Sequence, residues 1–193
     1  MYHKVIENDG GAHAIGFPGP VNGSLRDVFP NETTGLLALY TYGETGWSLE
    51  TNLDRNLSAL DAIVVTTAGD AGPDTYTITV RLDSNVSVEN RTMQEGWNFV
   101  AAPQFTDAEG AFGIEDAVLV FDRYAQPLTG EYDPTPEFES YVVGSTAWGH
   151  TAPPVNPFTG YFVYMAESGD LPVTASNLDH KPHANELLDL PEN

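Results

Sequence analysis

Apolar positions in this chain recur every second residue or fall in short unbroken blocks, which predicts strands and few helices. Thr75–Arg81 (TYTITVR) alternates most cleanly, placing Tyr76, Ile78 and Val80 on one face and the threonines with Arg81 on the other. Asn85–Glu89 repeats the alternation with Val86 and Val88, and the polar Asp83–Asn85 between the two predicts a hairpin. Leu36–Tyr42, Ala62–Thr67, Ala117–Tyr124 and Gly160–Met165 are apolar blocks too short for ordinary helices and rich in β-formers, and they read as buried strands. Tyr2–Glu7 predicts a further short strand, either a self-contained edge or an arm for a neighbouring subunit, and Leu171–Ala175 another. Helices are brief: Ser24 caps one running to Phe29 with Asp27 in its first turn, and Asp107 caps another over Ala108–Phe112. Glu186–Leu190 is a short helix or a docking tail.

The blocks occur twice. Gln94–Pro103 (QEGWNFVAAP) lies at the midpoint, where Gly96 permits a turn and Pro103 ends the apolar run. Ala14–Pro18 (AIGFP) resembles Phe99–Pro103, Leu36–Tyr42 matches Ala117–Tyr124, and Asp61–Thr66 (DAIVVT) resembles Gly160–Met165. This predicts an all-β protein with a few short helices, built from two repeated antiparallel β units that form sandwiches or small barrels. The units span 1–93, with an N-terminal arm, and 94–193, with a C-terminal tail. The second carries a proline-rich insertion at 125–157, a length that in a compact domain is usually functional or pinned to a partner.

Gly96-Trp97-Asn98 followed by Pro103, a strand ending in Tyr124, and Gly160-Tyr161-Phe162-Val163-Tyr164 resemble a β repeat of haloarchaeal and bacterial surface proteins. Repeats of that family open on Gly-Trp-Asn and close on a Gly-Tyr-Trp-Val strand. Here Phe162 replaces the closing tryptophan, and the first unit lacks the opening motif. The resemblance covers about two thirds of the chain and implies architecture and a surface role, with no catalytic residues to carry over. Trp97 and Tyr161 then read as core anchors closing the unit.

Charge narrows the setting. There are 28 acidic and 7 basic residues, net −21, and the only lysines are Lys4 and Lys181. Such a surface repels phosphate backbones, which argues against nucleic acid as a partner. It also repels itself in ordinary salt, a penalty that fades in molar salt where the Debye length is about 3 Å. A carboxylate-rich, lysine-poor surface on a normal core points to a salt-loving organism. No cysteine is present, so disulfides and thiolate metal sites are excluded. The longest apolar runs, Val118–Phe121 and Tyr161–Met165, are too short to cross a bilayer, and Met1–Gly11 has no secretory pattern.

Candidate chemistry is sparse. Five of twelve asparagines, Asn22, Asn31, Asn56, Asn85 and Asn90, sit in Asn-x-Ser/Thr, where chance predicts about 1.7. Asp70 and Asp74 flank a Gly-Pro turn but lack EF-hand spacing, and a solvated turn is the simpler account. Asp122, Asp133, Glu137 and Glu139 include pairs suited to glycoside hydrolysis, yet in so acidic a chain such pairs arise by accident. His180 and His183 have no third ligand at motif spacing, and His3, His13 and His150 are scattered. We therefore expect no catalytic residues, no metal and no cofactor. Trp148, Tyr141, His150 and Tyr132 on the insertion are the interface candidates, as exposed aromatics on a stiff loop; Trp148 alternatively matches Trp47 as a core residue.

These readings predict a non-enzymatic structural protein of a halophilic virus particle: a capsid decoration, turret or tail component at the virion surface. Its partners are other structural proteins and copies of itself, with a carbohydrate or receptor contact as an addition. The alternatives are an ectodomain of a haloarchaeal cell-surface glycoprotein and, further off, a carbohydrate-binding module or enzyme.

Overall fold

The computed structural model describes residues 1–29, 36–69, 74–83, 90–122, 140–145 and 151–173. Its first half runs β1 (Tyr2–Glu7), β2 (Ala12–Phe17), α1 (Leu25–Val28), β3 (Leu36–Gly43), β4 (Gly46–Leu49), β5 (Asp61–Thr67) and β6 (Thr75–Val80). The second half runs β7 (Arg91–Met93), β8 (Gly96–Ala101), β9 (Thr106–Asp107), α2 (Ala108–Phe112) and β10 (Ala117–Phe121). It continues through β11 (Ser140–Val142), β12 (Pro154–Val155), β13 (Gly160–Met165) and β14 (Gly169–Leu171). The protein is all-β, its strand pairs are antiparallel, and among the described residues no sheet closes into a barrel, in keeping with a sandwich-like form.

Both halves have one topology. The sheet order β2-β5-β3-β4 recurs as β8-β13-β10-β11, and a ribbon β1-β6 recurs as β7-β14. Even the irregularity recurs: the β3–β5 ladder shifts register between Leu36 and Ala38, and the β10–β13 ladder between Ala117 and Leu119. Each helix is entered by a capping residue that also bridges to the segment before the next long strand, Ser24 to Asn56 and Asp107 to Pro154. The capping chemistry matches the sequence signal. The Ser24 backbone N–H donates to Asp27 Oδ2 at 2.7 Å, and Asp107 Oδ1 accepts from the Gly110 N–H at 2.7 Å.

Strand alternation sends each sheet's two faces to different cores. Ile15, Phe17, Ile63 and Val65 pack with Ile6, Tyr76, Ile78 and Val80 of the first ribbon. Val100, Tyr161, Val163 and Met165 pack with Met93 and Leu171 of the second ribbon and with Phe112 of α2. The opposite faces meet each other: Ala14, Ala62 and Val64 of one sheet are buried with Phe99 of the other, flanked by Tyr40, Tyr42 and Phe162. β5 and β13 are thus covered on both sides, which is why their sequences read as apolar blocks without alternation.

The seam between the sheets is reciprocal. The Gly16 N–H donates to Phe158 O at 3.0 Å, and at the matching place the Ala101 N–H donates to Leu60 O at 3.1 Å. A Cβ on Gly16 would lie 2.8 Å from the Ala101 Cβ, and one on Gly160 would lie 3.0 Å from the Ala62 Cβ. Gly16 and Ala101 hold equivalent places in the two halves, as do Ala62 and Gly160. Each therefore touches its own counterpart, as residues do on the axis of an isologous contact. Small side chains let the backbones close at this end; the other end of the seam is filled with rings.

Several expectations are corrected. Pairing sets Ala14 opposite Val64 and Phe99 opposite Phe162, so Val64 matches Phe162 and Asp61 matches Thr159. The alignment of Asp61 with Gly160 is one residue out, a slip that exchanges the two faces of the strand. The stretch 125–157 is not a plain loop, since β11 pairs with β10 and β12 with β9. The last described strand begins at Gly169, ahead of the expected Leu171. β3 is only half buried at Tyr40 and Tyr42, which pack at the margin of the contact between the sheets rather than inside it. Asn85–Glu89 and Glu186–Leu190 lie outside the described residues.

Candidate functional site

Two tight turns built on glycine deliver tryptophans to the open end of the seam. Gly46 (φ 93°) precedes Trp47 in the β3–β4 hairpin, and Gly96 (φ 90°) precedes Trp97 in the turn that joins β7 to β8. Both angles lie in the left-handed region where a Cβ is unfavourable, giving these two glycines a reason. The second turn is clasped by Asn98: its Oδ1 accepts from the Gln94 N–H at 2.9 Å, and its Nδ2 donates to Gln94 O at 2.8 Å and Gly96 O at 3.1 Å. The Gly-Trp-Asn motif is thus a turn with its own latch, and the tryptophan between projects outward.

Trp97 is 42% exposed, which corrects its reading as a core anchor; Tyr161 is buried as expected, its hydroxyl oxygen accepting from the Asn156 N–H at 2.8 Å. Burial raises the Tyr161 phenol far above its ordinary pKa, with the Asp122 carboxylate adding to the shift. Trp47 is 41% exposed and also sits at this end. Phe162 holds the cluster together, with ring centroids 4.9 Å from Phe99, 5.4 Å from Tyr42, 5.8 Å from Trp47 and 6.2 Å from Trp97. Most of these contacts are edge-to-face, the favoured arrangement for aromatic quadrupoles.

Between the β3–β4 hairpin tip and the β7–β8 turn lies a cleft of about 460 Å³, walled by Tyr42, Trp97 and Phe99 and rimmed by Glu44, Gln94 and Glu95. Arg91 forms part of its lining and is held by Asp61, its Nη1 donating to Oδ1 at 2.6 Å. Asp61 also accepts from Arg55 Nη1 at 3.1 Å, and Arg55 Nε reaches Glu50 Oε2 at 2.6 Å. Burial works against the Arg55 charge, but the Glu50 and Asp61 carboxylates outweigh it and raise its pKa. This charged string crosses the seam. On the other side of the seam Lys4 crosses in the reverse direction, Nζ donating to Phe158 O at 2.6 Å, Ala14 O at 3.1 Å and Thr159 Oγ1 at 3.4 Å.

The sequence-level candidates disperse. Tyr141 is buried at 8% exposure in the second core and donates from its hydroxyl to Glu109 Oε2 at 2.9 Å, so its ring is not offered to a partner. Trp148, His150 and Tyr132 lie outside the described residues, as do Asn31 and Asn85. Asn22, Asn56 and Asn90 are all exposed. Asp122 is buried beside Lys4 and Tyr161, not set in a cleft; Asp133, Glu137 and Glu139 are outside the description, as is Asp70. His13 meets Asp9 at 3.0 Å and His3 meets Thr79 at 3.1 Å, while His180 and His183 lie outside the described residues. No group of three His, Asp or Glu residues converges among the described residues, and no helix there is long and apolar enough to cross a membrane. Leu60 and Tyr42 were missed, since neither belongs to a motif; Phe162 was noted only as the residue in place of a closing tryptophan, and pairing across the seam gives all three their role.

The fold and seam define an all-β protein of two like sheets packed face to face. No family model, curated protein or solved structure matches the chain.

Proposed function

We propose that this is a non-enzymatic structural protein of a halophile, a virion-surface component such as a capsid decoration, turret or tail protein, that assembles through its sheet edges. The reading rests on β4. This strand ends the first sheet, no other described strand pairs with its outer side, and its residues Gly46–Leu49 carry neither charge nor proline. Leu49 is 55% exposed and lies on the same side as Trp47. A bare, uncharged edge with exposed apolar side chains is a template for pairing with another chain, and natural monomers usually blunt such edges. A second copy offers the same edge, and two paired β4 strands continue one sheet across both copies. The net charge of −21 opposes that approach in dilute buffer and ceases to in brine.

Sedimentation velocity in molar KCl tests this. We expect a discrete oligomer that dissociates on dilution into low salt, and a monomer for Leu49→Lys in any salt. A wild-type monomer in molar KCl at tens of micromolar protein overturns the reading.

Asn22, Asn56 and Asn90 favour a second reading, since all three Asn-x-Ser/Thr asparagines among the described residues stand on the surface. An ectodomain of a cell-surface glycoprotein needs that exposure. Intact-mass analysis of the native protein separates the two: glycan mass at these sites favours the cell surface, and an unmodified chain favours the particle.

A further inference from the structure

We propose that the cleft between the β3–β4 hairpin tip and the β7–β8 turn binds a neutral saccharide. Its volume of about 460 Å³ lies within the roughly 300–1,000 Å³ usual for small-molecule sites. One wall is aromatic, from Tyr42 and Trp97 backed by the buried Phe99, and the exposed Trp97 ring suits the C–H face of a pyranose ring. The rim supplies exposed carboxylates from Glu44 and Glu95 and the Gln94 amide, which accept from and donate to sugar hydroxyls. Those two carboxylates, on a chain of net −21, repel anionic ligands, while the Arg91 guanidinium in the lining disfavours a cation, and a neutral polyol fits both.

The site is also built in advance. Asn98 spends its side chain latching the β7–β8 turn, and Arg91 is anchored by Asp61, so the residues that shape the cleft need little ordering on binding. Trp97 is held edge-on at 5.2 Å by Tyr164 and at 6.2 Å by Phe162 while remaining 42% exposed. A tryptophan fixed by neighbours yet open to solvent costs little entropy when a ring stacks on it. None of this uses the outer side of β4, so the cleft and the assembly edge succeed or fail separately.

The test titrates the full chain in molar KCl with maltotriose, cellotriose and tri-N-acetylchitotriose to about 10 mM, following tryptophan emission and heat. Saturable binding of at least one is expected. It should weaken about tenfold in Trp97→Ala and several-fold in Glu95→Ala, with circular dichroism unchanged. Glu95 is an exposed turn residue, so its variant keeps the test decisive if Trp97→Ala disturbs folding. The proposal is overturned if no sugar saturates, if binding is undiminished in the variants, or if tetramethylammonium binds in preference, which would mark a cation site.

Discussion

The two halves join by the same pair of crossings made with different chemistry. Pairing and burial place Lys4 opposite Ile78 where Arg91 stands opposite Leu171, and each basic side chain reaches the start of the other half's long central strand. Arg91 finds a carboxylate there, Asp61; Lys4 finds Thr159 and two backbone carbonyls. An ion pair of partly exposed groups is screened by salt, whereas donation to carbonyls is much less so. One joint is an ion pair, and the other is made by donation to neutral oxygens with the Asp122 carboxylate close by. The neighbouring residues differ as well. Leu60 inserts wholly into the second half's core, whereas its counterpart Phe158 lies half buried at 4.2 Å from the Tyr2 ring.

That asymmetry is open to attack, and the largest effect belongs to Leu60. It is fully buried at φ 61°, a left-handed conformation unfavourable for a leucine, so surrounding contacts must hold it there. Leu60→Ala should cost about 3 kcal/mol by denaturant titration, and Phe158→Ala distinctly less. Equal costs would mean the two insertions are equivalent after all. Next comes Asp61→Asn, which strips a carboxylate from two arginines. A loss of about 2 kcal/mol in low salt is expected, shrinking as KCl is raised, and a cost that holds steady with salt would contradict the screening account.

The smallest effect is one of pH. Burial lowers the Lys4 pKa to about 8 from 10.5, with Asp122 pulling the other way. Between those values the folded state holds fewer protons than the unfolded, so stability should rise with pH from about 8. Tyr2 and Tyr161 have raised pKa values from burial and prefer to stay neutral, which lowers stability above their ordinary value of 10.0. The Tm by calorimetry should therefore climb from pH 8 toward 10 and then fall. Lys4→Met should lose the climb and keep the fall; a flat wild-type profile would remove Lys4 from the account.

What was legible in the chain follows from where each element ends up. Thr75–Val80 alternates because only one of its faces is buried, so its strand and inward residues could be read directly. Ser24 and Asp107 announced both helices through local hydrogen bonding that needs no partner. Asp61–Thr67 and Gly160–Met165 announced themselves as strands but hid their register. With both faces covered, the period of two disappears, and the match slipped by one residue. Trp97 misled for a related reason: a large aromatic beside a glycine looks like a core anchor, and only the Asn98 latch turns it outward.

Local chemistry was thus determined by sequence alone: which segments are strands, where two helices start, that one β unit is written twice, and that the charge is strongly acidic. Tertiary structure decided which sheet faces meet, that Gly16 and Gly160 lie against their counterparts' strands, and that a cleft opens between a hairpin and a turn far apart in the chain. The division is physical. Propensity and capping act within a few residues, whereas the seam depends on contacts between residues 30 to 155 positions apart, which no local pattern encodes.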